Sequence, residues 1–200
     1  MTRRIGRLAV SALSASLLGI APLHGASASP AGAIETRIHA LDRGEYLWQP
    51  ERAAAGPVEI VISLGLQKAY IFRSGELIGA STISSGKPGH ESPIGRFEIL
   101  QKRKMHRSNR YDDASMPYMQ RLNWYGVALH AGPIPGGPAS HGCIRLPAGF
   151  AKKLFEATEL GSFVFVTDDA LHSPQAALQL ARAHATAPVS RDRTPGGASS

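Results

Sequence analysis

Between residues 58 and 167 the chain keeps returning to short apolar runs, each cut off by glycine, proline or a polar turn. Val58-Glu59-Ile60-Val61-Ile62 is rich in β-branched residues. Lys68-Ala69-Tyr70-Ile71-Phe72 follows a turn at Leu66-Gln67, and Leu77 to Ser84 follows a turn at Ser74-Gly75-Glu76. β-Branched and aromatic side chains suit a half-buried pleated surface, so these runs predict strands, and their close spacing predicts an antiparallel meander. Arg96 to Gln101, Met119 to His130 and Ser162 to Thr167 predict further strands. Many short strands with Gly/Pro turns favour a β-sandwich or small barrel.

Two segments depart from this pattern. Pro147 to Leu160 predicts a helix inserted before the last strand. Proline suits the first turn, Phe150, Leu154 and Phe155 share a face, and Gly161 is a natural stop. Ser173-Pro174 opens a second helix reaching Ala185, and the Pro, Gly, Ser and Arg-rich residues after it predict a disordered tail. The expected layout is a signal peptide over 1–28, an N-terminal connector over 29–55, a mostly β domain over 56–168, and a C-terminal helix with a flexible tail over 169–200.

The leader is read from its three parts. Arg3, Arg4 and Arg7 precede an apolar stretch from Leu8 to Ala21, and Ala26-Ser27-Ala28 gives a small-x-small cleavage pattern. This predicts export to the periplasm or cell wall. The formal charge is +7, and loss of the three leader arginines brings it to about +4. A moderately basic chain suits contact with acidic polymers such as cell walls. No zinc-finger, basic-zipper or RNA-recognition signature is present, so nucleic acid is not an expected partner. A single cysteine, Cys143, cannot form an intramolecular disulfide. In an exported chain it marks a reactive thiol or an intermolecular partner.

The chemistry concentrates in His130 to Leu146, HAGPIPGGPASHGCIRL. Attack by cysteine on a carbonyl needs the thiolate, and an adjacent imidazole can take the proton. His130 ends a strand-like run, and a Gly/Pro loop lets the chain fold back so that His130 faces Cys143. His130 is therefore the expected base, with His141 as a site organiser or substrate contact. If the segment is extended, His141 and Cys143 point to one side. Backbone N–H groups of Gly142 and Cys143 suit an oxyanion, and Gly142 permits close approach or an unusual backbone angle. Arg145 suits either a substrate carboxylate or a surface ion pair. A metal site built on His130, His141 and Cys143 is the weaker alternative, because no fourth ligand and no CxxC or HExxH spacing accompanies them. A buried structural thiol is the other.

The Ser140-His141-Gly142-Cys143 run, with His130 upstream and Arg145 downstream, resembles the signature of the L,D-transpeptidase catalytic domain, the YkuD-type family. Ser84-Ser85-Gly86-Lys87 through Ser92-Pro93-Ile94-Gly95-Arg96-Phe97 is similar to that family's glycine loop, and Met116-Pro117-Tyr118 and Gly126 to Gly132 also look familial. The resemblance spans Val58 to Thr167. It implies a sandwich-like domain with Cys143 as nucleophile and His130 as base, the backbone carbonyl of Ala131 orienting the ring, and Ser140, His141 and Gly142 shaping the oxyanion pocket. It further implies attack on the bond between the third residue and D-Ala at position four of a peptidoglycan tetrapeptide stem. An amine on a stem or protein then resolves the thioester, with no metal or organic cofactor. Separately from the resemblance, the chain is expected to act as a monomer. The alternatives are an L,D-carboxypeptidase that uses water on the same scaffold and a non-catalytic wall-binding module. Ala131 stands where glycine or serine is frequent, and Arg145 where many members have asparagine.

Three further groups are candidates for substrate contact. The basic cluster Lys102, Arg103, Lys104, His106, Arg107 and Arg110 suits anionic wall, or else a solvated loop. Tyr118, Trp124 and Tyr125 suit a groove, or else the core. Lys87 and His90 lie in the glycine loop.

Overall fold

The computed structural model describes residues 30–108 and 113–190. In chain order it contains α1 (Pro30–His39), β1 (Tyr46–Trp48), a 3-10 turn (Pro50–Arg52), β2 (Val58–Ser63), β3 (Lys68–Arg73), β4 (Glu76–Thr82), β5 (Gly95–Glu98), β6 (Gln101–Arg103), β7 (Met119–Arg121), β8 (Ala128–Ala131), β9 (Ile144–Leu146), α2 (Ala148–Ala157), β10 (Phe163–Thr167) and α3 (Pro174–Ala183). One sheet has the order β1-β4-β3-β2-β10-β5 and the other β6-β7-β8-β9. The expected meander is β2-β3-β4, antiparallel throughout. β10 joins it parallel to β2 and antiparallel to β5. The mostly β, two-sheet class is the one the sequence predicts.

Alternation of side chains divides the larger sheet into two faces. Ile60, Ile62, Ala69, Ile71, Val164 and Val166 meet Leu129, Ile144 and Leu146 of the smaller sheet and Phe150, Ala151 and Leu154 of α2. Val61, Tyr70, Phe72 and Phe165 point the other way, into a second core with Ile38 of α1 and Ala177 and Ala181 of α3. The smaller sheet holds His130 in β8 and follows directly on Cys143 at β9, and it is anchored by the first of these cores.

Three local expectations change. Met119 to His130 is two strands, β7 and β8, not one. Asn123 breaks the run: its Oδ1 accepts the Val127 N–H at 3.0 Å, and Leu122 N–H donates to the Val127 carbonyl at 2.9 Å. The 29–55 stretch, expected as a connector, supplies α1 and the edge strand β1, whose Trp48 packs on the core and lies 5.6 Å edge-on from Phe150. Residues 186–190, expected in the disordered tail, pack back on β5: Val189 bridges Arg96, and Arg96 donates to the Ala187 carbonyl at 3.2 Å. The signal-peptide reading, residues 191–200 and Arg110 fall outside the described residues. Among the described residues no helix is long and apolar enough to cross a membrane.

Candidate active site

β8 and β9 are adjacent and parallel, joined by the Gly/Pro loop, with Leu129 opposite Ile144, His130 opposite Arg145 and Ala131 opposite Leu146. Leu129, Ala131, Ile144 and Leu146 face the core. Alternation therefore turns His130 and Arg145 to the other face. One step back along both strands, Ala128 and Cys143 take that same face, where Cys143 packs on Met116, Met119 and Ala128. Cys143 and His130 are thus diagonal neighbours on one face of a short parallel pair. The loop returns the chain beside the strand it left, as the fold-back expectation requires.

His130 is buried, and its Nδ1 lies 2.8 Å from the Ala131 carbonyl. A carbonyl only accepts, so Nδ1 carries the proton and Nε2 is left with its lone pair. Burial pushes the imidazole down to about 4, and the Arg145 and His106 charges add to that, against the opposing bond to Ala131. Cys143 is half-buried, and its thiol donates to the Gly126 carbonyl at 3.4 Å. Burial raises its pKa, while the Ala128 backbone and the Arg145 and Arg121 charges pull the other way. Both shifts favour the uncharged forms, the imidazole and the thiol.

The cysteine loop is clamped from a distance. Ser140 is buried; its hydroxyl accepts the Gly142 N–H at 3.1 Å and donates to the Cys143 carbonyl. Ser92 accepts the Gly86 N–H at 2.9 Å and donates to the Gly142 carbonyl at 3.0 Å. Ser84 and Arg145 exchange backbone bonds at 2.9 and 3.0 Å, and the Ala139 and Ser140 N–H groups both reach the Ser85 carbonyl. Gln67 holds Ser85 in turn, through its backbone N–H at 2.9 Å and its hydroxyl at 2.8 Å. The glycine loop is thus a strap under the cysteine segment.

Gly142 has φ +108, a conformation that favours glycine. That turn breaks the extended path on which His141 and Cys143 would share a side. The His141 ring instead lies edge-on to His90, with centroids 4.8 Å apart. The described ion pairs, Arg96–Glu98 and Arg107–Asp113, do not include Arg145. Among the described residues no group of three or more His, Cys, Asp or Glu is arranged to hold a metal ion.

The surrounding candidates separate. Lys102 is occupied: its ammonium donates to the Phe155 carbonyl at 2.6 Å and to that of Thr158, closing the C-terminus of α2. His106 and Arg121 act electrostatically on the site. Tyr118 packs on the core, whereas Trp124 is 62% exposed and Tyr125 is exposed beside it, at the tip of the β7–β8 hairpin. Sequence reasoning did not single out the Gly126 carbonyl, Ser92 or Gln67. For Ser92 the Ser-Pro-Ile-Gly run was a signal; for the other two nothing local was.

Residues 57–166 match a family model described as YkuD, the L,D-transpeptidase catalytic domain. L,D-transpeptidase 1 of Mycobacterium tuberculosis is 28% identical over 118 residues, covering 50% of this chain and 47% of that protein. The chain thus spans about half the length of the curated relatives it matches. A solved L,D-transpeptidase from Stackebrandtia nassauensis shares the fold with a TM-score of 0.55 at 24% identity, covering 69% of this chain and 66% of that one. An L,D-transpeptidase in complex with imipenem is 27% identical with a TM-score of 0.52, covering 56% of this chain and 59% of that one.

Proposed function

This chain belongs to the YkuD-type L,D-transpeptidase catalytic-domain family, and we propose that it is a cysteine acyl transferase acting on peptidoglycan tetrapeptide stems. The observation that carries this reading is a thiol and an imidazole on one face of the β8–β9 pair, the imidazole oriented by the Ala131 carbonyl. Nε2 of His130 takes the thiol proton as Sγ of Cys143 attacks the carbonyl of the third stem residue. The Gly142 N–H is spent on Ser140, so the oxyanion falls to the Cys143 N–H. The protonated imidazole then gives its proton to the departing D-Ala nitrogen as the C–N bond breaks, leaving a thioester. An amine from a second stem or a protein attacks the thioester, loses a proton to Nε2 and restores the thiol.

The carbonyls of Ala131 and Gly126 fix the tautomer and the resting thiol. Arg145, in neither described ion pair, supplies positive charge toward the substrate carboxylates. The leader points to export, with action in the periplasm or cell wall.

The test is mass spectrometry of tetrapeptide-stem muropeptides incubated with the protein. Wild type releases D-Ala, Cys143→Ala releases none, and an added amine enters the product. Unchanged release by the variant removes Cys143 from the chemistry, and a product that gains only water makes the enzyme a carboxypeptidase. A carbapenem adds its own mass to Cys143 of the wild type; no adduct, or one elsewhere, argues against a reactive thiol.

A further inference from the structure

The face that presents Cys143 continues across the smaller sheet. Gln101 of β6 is opposite Arg121 of β7, and Arg121 is opposite Ala128 of β8. Continued one strand further, the row ends at Cys143. Arg121 and Cys143 are therefore two strand spacings apart, roughly 10 Å, with Ala128 on the strand between them and Met116 and Met119 packed beside it. The neighbouring row runs from Arg103, opposite Met119, toward His130, opposite Arg145. The reacting groups lie between two arginines, one on each side.

Arg121 is held as a binding residue would be. Its Nε donates to Gln101 Oε1 at 3.0 Å, and its guanidinium lies 5.8 Å from the centroid of the exposed Trp124 ring. Neither described ion pair includes it. A guanidinium fixed through Nε and placed over an indole keeps its two terminal nitrogens for a planar, bidentate partner. Arg145 is set differently: its stem lies along Gly132, where an added Cβ would come within 3.0 Å of its Cγ, so it leans over the far end of β8.

We propose that Arg121, backed by Gln101 and Trp124, binds a carboxylate of the acyl-donor peptide next to the scissile amide and so sets donor specificity. This rests on the acyl-transfer reading. Two carboxylates are near enough in the peptide: the free terminus at position four, and a side-chain carboxylate on the third residue. Both present the same chemistry to Arg121.

The experiment uses three donors: the free tetrapeptide, its C-terminal amide, and the peptide amidated on the third residue's side chain. Each is turned over by wild type, Arg121→Gln, Arg121→Lys and Arg145→Gln, with kcat and KM read from amino-acid release. Wild type loses ten- to hundredfold in kcat/KM, mostly through KM, on one amidated donor, about the worth of a charge-assisted hydrogen bond. Which donor suffers identifies the carboxylate. Arg121→Gln handles free and amidated donors alike, and Arg121→Lys recovers part of the preference. A wild type without preference, an Arg121→Gln that keeps it, or loss in Arg145→Gln alone overturns the inference. A second arm titrates the same peptides into Cys143→Ala, with and without Arg121→Gln, by NMR. Binding of the free peptide that depends on Arg121, without turnover in wild type, leaves this inference standing and sinks the acyl-transfer reading. No binding of the free peptide to Cys143→Ala sinks the inference.

Discussion

His130 sits on the side of neutrality, and that decides how the pair responds to pH. Its pKa is lowered to about 4 from an ordinary 6.5, so the ring remains a base in solutions where an ordinary imidazole is protonated. Carbapenem acylation should therefore persist to pH 5, with its acidic limb nearer 4 than 6.5. The Cys143 thiol is raised by burial, so alkylation by iodoacetamide, which needs a ready thiolate, should be slow at pH 7 and climb on the alkaline side. An acidic limb at 6.5, or fast alkylation at pH 7, would show a standing ion pair instead. Stability follows with a definite sign. The unfolded chain takes up a proton near 6.5 that the folded chain refuses until about 4, so the folded state loses stability as pH falls through that window. His106, also lowered, acts in the same direction. Melting temperature should drop between pH 7 and 4, and His130→Gln should flatten part of that slope.

Among elements, the glycine loop matters more to the thiol than its distance in sequence suggests. Ser92 ties Gly86 to Gly142 with two buried hydrogen bonds. Gly86 has no room for a side chain, since a Cβ there would fall 1.9 Å from the His90 carbonyl oxygen. Ser92→Ala leaves the Gly86 N–H and the Gly142 carbonyl without that partner, at a cost of about 1–3 kcal/mol, and loosens the turn that aims Cys143. We expect a lower melting temperature together with slower carbapenem acylation. Acylation at the wild-type rate would make the strap purely structural. This pairing also marks what was readable beforehand. The strands of the meander, the two helices and the His130–Cys143 pair are written in local patterns: β-branched runs, a proline-opened helix, a Ser-His-Gly-Cys run. The strap joins residues some fifty positions apart, the break at Asn123 lies inside an apolar run, and a carbonyl such as that of Gly126 has no side chain to advertise it. Those features depend on register and long-range pairing, which periodicity does not carry.

At the scale of the molecule, the stretch that matches the family is smaller than the unit that folds. The match ends at Val166, and the sequence places the domain boundary near 168. The larger sheet, however, buries apolar side chains on both faces. On its outer face Val61, Tyr70, Phe72 and Phe165 are covered by α1 and α3, and the Tyr70 hydroxyl donates to the Leu171 carbonyl at 2.5 Å. Uncovering four such side chains forfeits about 1.5–3 kcal/mol each, which rivals the whole stability of an ordinary domain, about 5–15 kcal/mol. It also bares a contiguous apolar patch of the kind that drives association. A fragment of residues 56–168 should therefore aggregate or bind a hydrophobic dye, even though it holds the entire thiol–imidazole pair. A fragment of residues 30–190 should melt in one cooperative transition and react with a carbapenem. A soluble 56–168 fragment with a sharp melt and an active thiol would mean that α1 and α3 are ornaments on a self-sufficient sheet, and that the second core contributes nothing to holding the site.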